Sequence, residues 1–260
     1  MFISLMRKLL LTACFPVLLT ISKAQVPVGT WSDHLVYSTA KNLAASSEGV
    51  YASTGSAILV YNSIFDEVRK LSRVNGLSEA GINSIAWSEE NKTLIIAYSS
   101  SNVDLVKDNV IYNNPDIYRK YMPGRKDIKR IRVNGRNAML ACSFGIVLID
   151  LIKKEVYDTW KPGISSEATE VWDIAILNNK VYAATSVGLF TADISNQGLA
   201  FYGNWSRLSN VPGKTGRFTA VVAGDDKIYV NKSPLKSTCD TVYVIGTVTS
   251  VCTYTPGITN

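Results

Sequence analysis

The chain has 260 residues, a formal net charge of +6 and a single histidine, His34, which excludes multi-histidine metal centres and leaves histidine-based catalysis little to work with. Its basic residues form no dense Lys/Arg run interleaved with aromatics, so the charge gives no reason to expect a nucleic-acid partner.

Residues 1–24 read as a secretory signal peptide. Arg7 and Lys8 form a basic start, Leu9 to Ile21 an apolar stretch interrupted by Pro16, and Ser22-Lys23-Ala24 a small-residue end suited to cleavage between Ala24 and Gln25. The apolar stretch is short for a membrane-spanning helix, which needs about 20 residues. Leu11-Thr12-Ala13-Cys14 resembles a lipoprotein box, but its cysteine lies mid-stretch rather than at the end. Cleavage would remove Arg7, Lys8 and Lys23 and no acid, so +6 would become +3 for residues 25–260.

Beyond the signal, one syntax recurs. VYASTGSAILVYN, LIIAYSSSNVDLV, AMLACSFGIVLID, KVYAATSVGLFTAD and KIYVNKS share an anchor at Tyr51-Ala52, Ile96-Ala97, Leu140-Ala141, Tyr182-Ala183 and Tyr229-Val230, with successive anchors 42 to 47 residues apart. The later copies follow an apolar run, namely INSIAW, IKRIRV, VWDIAI and FTAVVAG. Third runs often end in a polar residue such as Asn62, Asp150 or Asp193, and a fourth, more variable strand is expected in EVRKLS, VIYNN, EVYDTW and AFYGNW. Val, Ile, Tyr and Thr dominate the runs and turn formers fill the gaps, so each copy reads as a β-meander. The Asn178-Asn179 pair suits a two-residue hairpin, because Asn tolerates positive φ. Four strands repeating at this period make propeller blades. The expectation is an all-β propeller with about five four-stranded blades. The tail after Lys232, KSPLKSTCDTVYVIGTVTSVCTYTPGITN, departs from the pattern, and an incomplete ring would leave two sheet faces bare.

The sequence offers little for catalysis. No CxxC, HExxH, GxSxG or GxxxxGK[ST] motif occurs, and no cofactor or metal site is identified. Asp104, Asp108, Asp116 and Asp127 match no calcium loop. The densest basic cluster, Arg119, Lys120, Arg125, Lys126, Lys129, Arg130 and Arg132, reads as a solvated loop between blades, or as a surface for an acidic polysaccharide or phosphate headgroup. Trp87 and Trp172 fall in strand runs and are expected to pack between blades. Trp160 and Trp205, beside Gly and Pro loops, suit packing or sugar stacking. Cys142 is expected to be a small buried side chain. Cys239 and Cys252 flank TVYVIG and TVTSV and could pair across a hairpin in an exported chain.

Gly29-Thr30-Trp31-Ser32-Asp33-His34-Leu35-Val36-Tyr37 resembles the opening of the mature region of PorZ-type proteins, cell-surface components of the type IX secretion system in Bacteroidota. The likeness continues through Leu71 to Ser78, Ile82 to Ala86, Lys92 to Tyr98, Asn102 to Leu105 and Phe144 to Leu151. It implies a non-enzymatic propeller that is exported and acts at the cell surface or outer membrane, in the attachment complex that processes cargo and joins it to anionic lipopolysaccharide. The implied partners are the sortase-like protease, other attachment-complex proteins and the lipopolysaccharide. It also implies a longer protein with two seven-bladed propellers and a C-terminal sorting domain, of which this chain would cover most of the first propeller. No binding residue is carried over, because no short family motif specifies one. The Gly76-Leu77-Ser78 turn is similar as well to periplasmic sensor propellers of hybrid two-component regulators, which stands as the alternative reading. A polysaccharide-active enzyme is a third, and would need carboxylates or tyrosines gathered on one face.

Overall fold

Alternating and continuous apolar runs become strands because each blade must bury both faces against its neighbours. The computed structural model describes residues 34–211, 213–233 and 240–245, and the backbone of 251–254. Ala24, Gln25, Trp31 and Cys239 lie outside the described residues, as does the side chain of Cys252. Residues from 35 onward form one unit, which holds every strand below.

Five antiparallel sheets of four strands follow one another in sequence order. The first blade is β1 (Asn42–Ser46), β2 (Gly49–Ser53), β3 (Ile58–Asn62) and β4 (Glu67–Leu71). The second is β5 (Ile82–Ser88), β6 (Thr93–Tyr98), β7 (Val103–Lys107) and β8 (Val110–Asn114), followed by the single helical turn α1 (Asp116–Arg119). The third is β9 (Ile128–Asn134), β10 (Asn137–Cys142), β11 (Gly145–Asp150) and β12 (Glu155–Trp160). The fourth is β13 (Val171–Leu177), β14 (Lys180–Thr185), β15 (Gly188–Asp193) and β16 (Ser206–Arg207). The fifth is β17 (Phe218–Gly224), β18 (Lys227–Lys232), β19 (Thr241–Ile245) and β20 (Val251–Tyr254). The first strands β1, β5, β9, β13 and β17 pack in succession. This is the all-β propeller architecture, with no described helix long and apolar enough to cross a membrane.

The core consists of four slabs, one between each pair of successive blades. Strand β10 shows why the middle strands read as unbroken apolar runs. Its Ala138, Leu140 and Cys142 face the second blade, while Met139 and Ala141 face the fourth. Cys142 is fully buried, and burial pushes its thiol pKa far up. Trp87 stacks on Tyr51 across the first slab, with centroids 5.1 Å apart. Trp160 and Trp205 are buried with centroids 6.3 Å apart, and their indole N–H groups donate to Asp158 Oδ2 (2.9 Å) and the Leu199 carbonyl (2.9 Å). They pack, and offer no stacking surface.

Turn chemistry matches the residues present. Asn178 and Asn179 take φ 49° and 60°, and Asp108-Asn109 and Asp225-Asp226 repeat this positive pair in other blades. The polar residue closing the third strand caps the next turn. Asn62 Oδ1 accepts from the Ile64 and Phe65 N–H groups, Asp150 Oδ1 from Ile152 and Lys153, and Asp193 Oδ1 from Ser195. Gly76 has φ 103° at the handover from the first blade to the second. Ser78 beyond it donates its N–H and hydroxyl to Asp104 (2.9 and 2.7 Å), a fully buried carboxylate of β7.

Three expectations need correction. AFYGNW is not a strand. Residues Tyr202–Asn204 form a 3-10 turn and the fourth strand is the two-residue β16, because Gly203 and Asn204 suit turns better than pleated ladders. The tail does not leave the blade pattern, since β19 and β20 complete the fifth sheet after an insertion. The anchor also slides by one position in the last two blades. Ala97 and Ala141 correspond in register to Ala184 and Asn231, each opposite the residue that follows an irregularity in the first strand.

Candidate functional site at the mouth of the inner strands

That irregularity builds the site. The first strands of the second to fifth blades each carry one extra residue at the same point, so the ladder skips Asn83, Lys129, Trp172 and Thr219. A bulge leaves its extra residue unpaired and re-aims its side chain. The residues flanking each bulge remain in the core: Ile82 and Ile85, Ile128 and Ile131, Val171 and Ile174, Phe218 and Val221. The four bulged residues line one cavity of about 350 Å³, together with Ser99, Arg125, Asp127 and Arg130.

The cavity wall is held by contacts between blades. Asn42 Nδ2 donates to the Asn83 carbonyl (3.1 Å), and Asn83 Nδ2 donates in turn to the Ile128 carbonyl. Lys129 Nζ lies 4.8 Å from the Trp172 ring centroid and 3.3 Å from carboxylate oxygens of both Asp127 and Glu170. The Arg217 guanidinium lies 5.5 Å from the same indole. Partial burial pushes the Asp127 carboxyl up, but the Lys129 ammonium and the Arg125 guanidinium outweigh it and hold the group below its ordinary range. Among the described residues, Trp172 Nε1 and Arg217 Nε are buried without a hydrogen-bond partner.

Beside the cavity, on the same inner strands, sits an ion pair whose carboxylate is buried. Arg132 donates from Nε and Nη2 to Asp173 Oδ1 (3.0 Å) and Oδ2 (2.8 Å). Asp173 is 1% exposed and also accepts from the Ile174 and Val221 N–H groups (2.9 and 3.2 Å). One carboxylate thus ties the third, fourth and fifth blades together.

The basic cluster foreseen in the sequence divides. Arg125, Lys129 and Arg130 line the cavity, whereas Arg132 lines a separate one with Ile174 and Val221. Lys126 turns back to donate to the Tyr118 and Lys120 carbonyls. Trp172, expected only to pack, forms part of the wall, and Arg217, Glu170 and Asp173 were missed. A signal was present: INSI, IKRI, VWDI and FTAV place buried apolar residues three apart, a spacing that regular alternation forbids and one extra residue requires. Asp104, Asp108, Asp116 and Asp127 are not brought together, and no cluster of three metal-ligating side chains occurs among the described residues. Asp104 is engaged by Ser78, Tyr98 and Asn113.

A family model described as the type IX secretion system PorZ N-terminal β-propeller domain matches residues 50–206. The chain belongs to this family. Among solved structures, PorZ of Porphyromonas gingivalis, described as an essential surface component of the type IX secretion system, is similar with a TM-score of 0.65 and 21% identity. The match covers 87% of this chain and 34% of that one, so the chain spans about a third of the PorZ structure it resembles. The extracellular domain of a putative one-component system from B. thetaiotaomicron is also similar, with a TM-score of 0.58 and 10% identity, covering 78% of this chain and 27% of that one. The corresponding domain described as a hybrid two-component system gives 0.55 and 10%, covering 74% and 26%. These likenesses show a shared fold. No curated protein matches the chain.

Proposed function

We propose that the chain acts as an exported, non-enzymatic docking propeller in the surface attachment complex of the type IX secretion system. Its contacts in this reading are the sortase-like protease, other attachment-complex proteins and anionic lipopolysaccharide. The observation that carries the proposal is the family match over residues 50–206. It favours a secretion component over a sensor, whose likeness extends to fold alone. The cation-rich mouth supports a binding role with an anionic ligand. Export would come with cleavage between Ala24 and Gln25 and with a bridge between Cys239 and Cys252, both readable from the mass of the secreted chain before and after reduction.

The test is affinity capture of the tagged full chain from a bacterium that runs this secretion system. Attachment-complex proteins and lipopolysaccharide should be recovered with it. Recovery of phosphorelay proteins alone would favour the sensor reading and overturn this one.

A further inference from the structure

The mouth gathers cations that the protein does not spend. Arg130 is 47% exposed, and its nearest carboxylate among the described residues is Asp173, 4.0 Å from Nε. That carboxylate already has Arg132 and two backbone N–H groups as donors. Arg125 is 72% exposed and pairs with Asp127, which Lys129 shares. Arg125, Lys129, Arg130 and Arg217 stand against Asp127, Glu170 and Asp240, so four cations minus three carboxylates leave +1, with Arg132 and Asp173 cancelling.

Resting on the reading that this propeller contacts an anionic glycan, we infer that the cavity is the contact, and that it takes a sugar residue bearing a carboxylate or phosphate. Arg125 and Arg130 receive the anion through charge-assisted hydrogen bonds. The Trp172 indole, braced by Lys129 and Arg217, forms a rigid wall for the sugar ring. The volume of about 350 Å³ lies at the small end of ligand pockets and suits a short saccharide. An acidic peptide is the poorer fit. Extended peptides dock along a sheet edge or a long groove, whereas this concavity closes where four blades converge.

The experiment is calorimetric titration of the full chain with oligogalacturonate, with dextran as the uncharged sugar and polyglutamate as the acidic peptide. The wild-type chain should bind oligogalacturonate in preference to both. The double variant Arg125→Gln/Arg130→Gln should bind at least about tenfold more weakly with an unchanged melting temperature. Lys153→Gln, an exposed charge elsewhere on the third blade, should change nothing. Inorganic phosphate at matched ionic strength should displace the glycan less well than monomeric galacturonate. Equal binding by the double variant, polyglutamate bound as tightly as the glycan, or phosphate competing as well as the sugar would each overturn the inference. Purified lipopolysaccharide separates the two levels. If it binds wild type and double variant alike, the cavity assignment falls and the glycan-contact reading stands. If neither it nor oligogalacturonate binds the wild type, both fall.

Discussion

Asp173 shows how much can hang on one side chain. It is buried, accepts four hydrogen bonds and spans three blades, so removing it leaves the Val221 N–H without this acceptor and the Arg132 guanidinium with the Ile174 carbonyl alone. Arg132 is 37% exposed, so water reaches its charge once the carboxylate is gone, and the cost falls to that of buried donors losing their acceptor, about 1–3 kcal/mol. Asp173→Ala should therefore lower urea stability by about 1–3 kcal/mol, and Asp173→Leu with Arg132→Met should recover at least half of that loss. A loss below about 1 kcal/mol for the single variant would show that the pair contributes little. Asp127 gives a pH signature. Its folded pKa lies below the ordinary 3.8, so its stabilising effect is fully present above that value and is lost as pH falls through the folded value. The stability difference between wild type and Asp127→Asn should hold at neutral pH and shrink below pH 3.8; a difference constant across that range would contradict the assignment. Asp173 did not stand out in the sequence as an inter-blade link. Asp173 reads as the polar member of a strand run, and only the bulge beside it turns it inward. Asn62, Asp150 and Asp193 were legible, because their task of capping the next turn is local.

At the level of strands and turns, locality again decides what could be read. Hairpins such as Asn178-Asn179 declare themselves through residues that accept positive φ, and the five second strands through continuous apolar runs. β16 could not be read, since two residues carry no periodicity. The fifth blade was obscured because its second and third strands are separated by 233–240, longer than the tight turns elsewhere. The turns permit a stability test. Asp225-Asp226 adopts φ 49° and 58°, a geometry that Asn-Gly fills at lower cost and without two adjacent negative charges. Asp225→Asn/Asp226→Gly should raise stability by about 0.5–1 kcal/mol. A decrease in the denaturation midpoint would mean that the two carboxylates support the turn in some other way.

For the molecule as a whole, the burial of the end blades matters most. The first blade exposes Leu43 (67%), Val50 (38%), Tyr61 (40%) and Val68 (57%) on one face, and the fifth exposes Val222 (50%). The opposite faces are packed, with Ala44, Ile58 and Val60 against the second blade and Val221, Ile228 and Val230 against the fourth. Bare apolar sheet faces associate. The 260-residue chain should therefore sediment as concentration-dependent oligomers, and Leu43→Lys/Val68→Lys should shift it toward monomer. A monodisperse wild-type sample at every concentration would refute this. The bare faces were legible from the blade arithmetic; the mouth was not, because it exists only where four blades converge.

The recurring bulges make the lining of that mouth editable. Each contributing position stands outside the ladder, flanked by core residues that do most of the packing, so its identity is tied to its neighbours through side-chain contacts such as Asn83 with the Ile128 carbonyl and not through strand pairing. The same socket holds a carboxamide, an ammonium, an indole and a hydroxyl in successive blades. A propeller built this way can be retuned toward a new ligand one socket at a time, with the strand register left untouched.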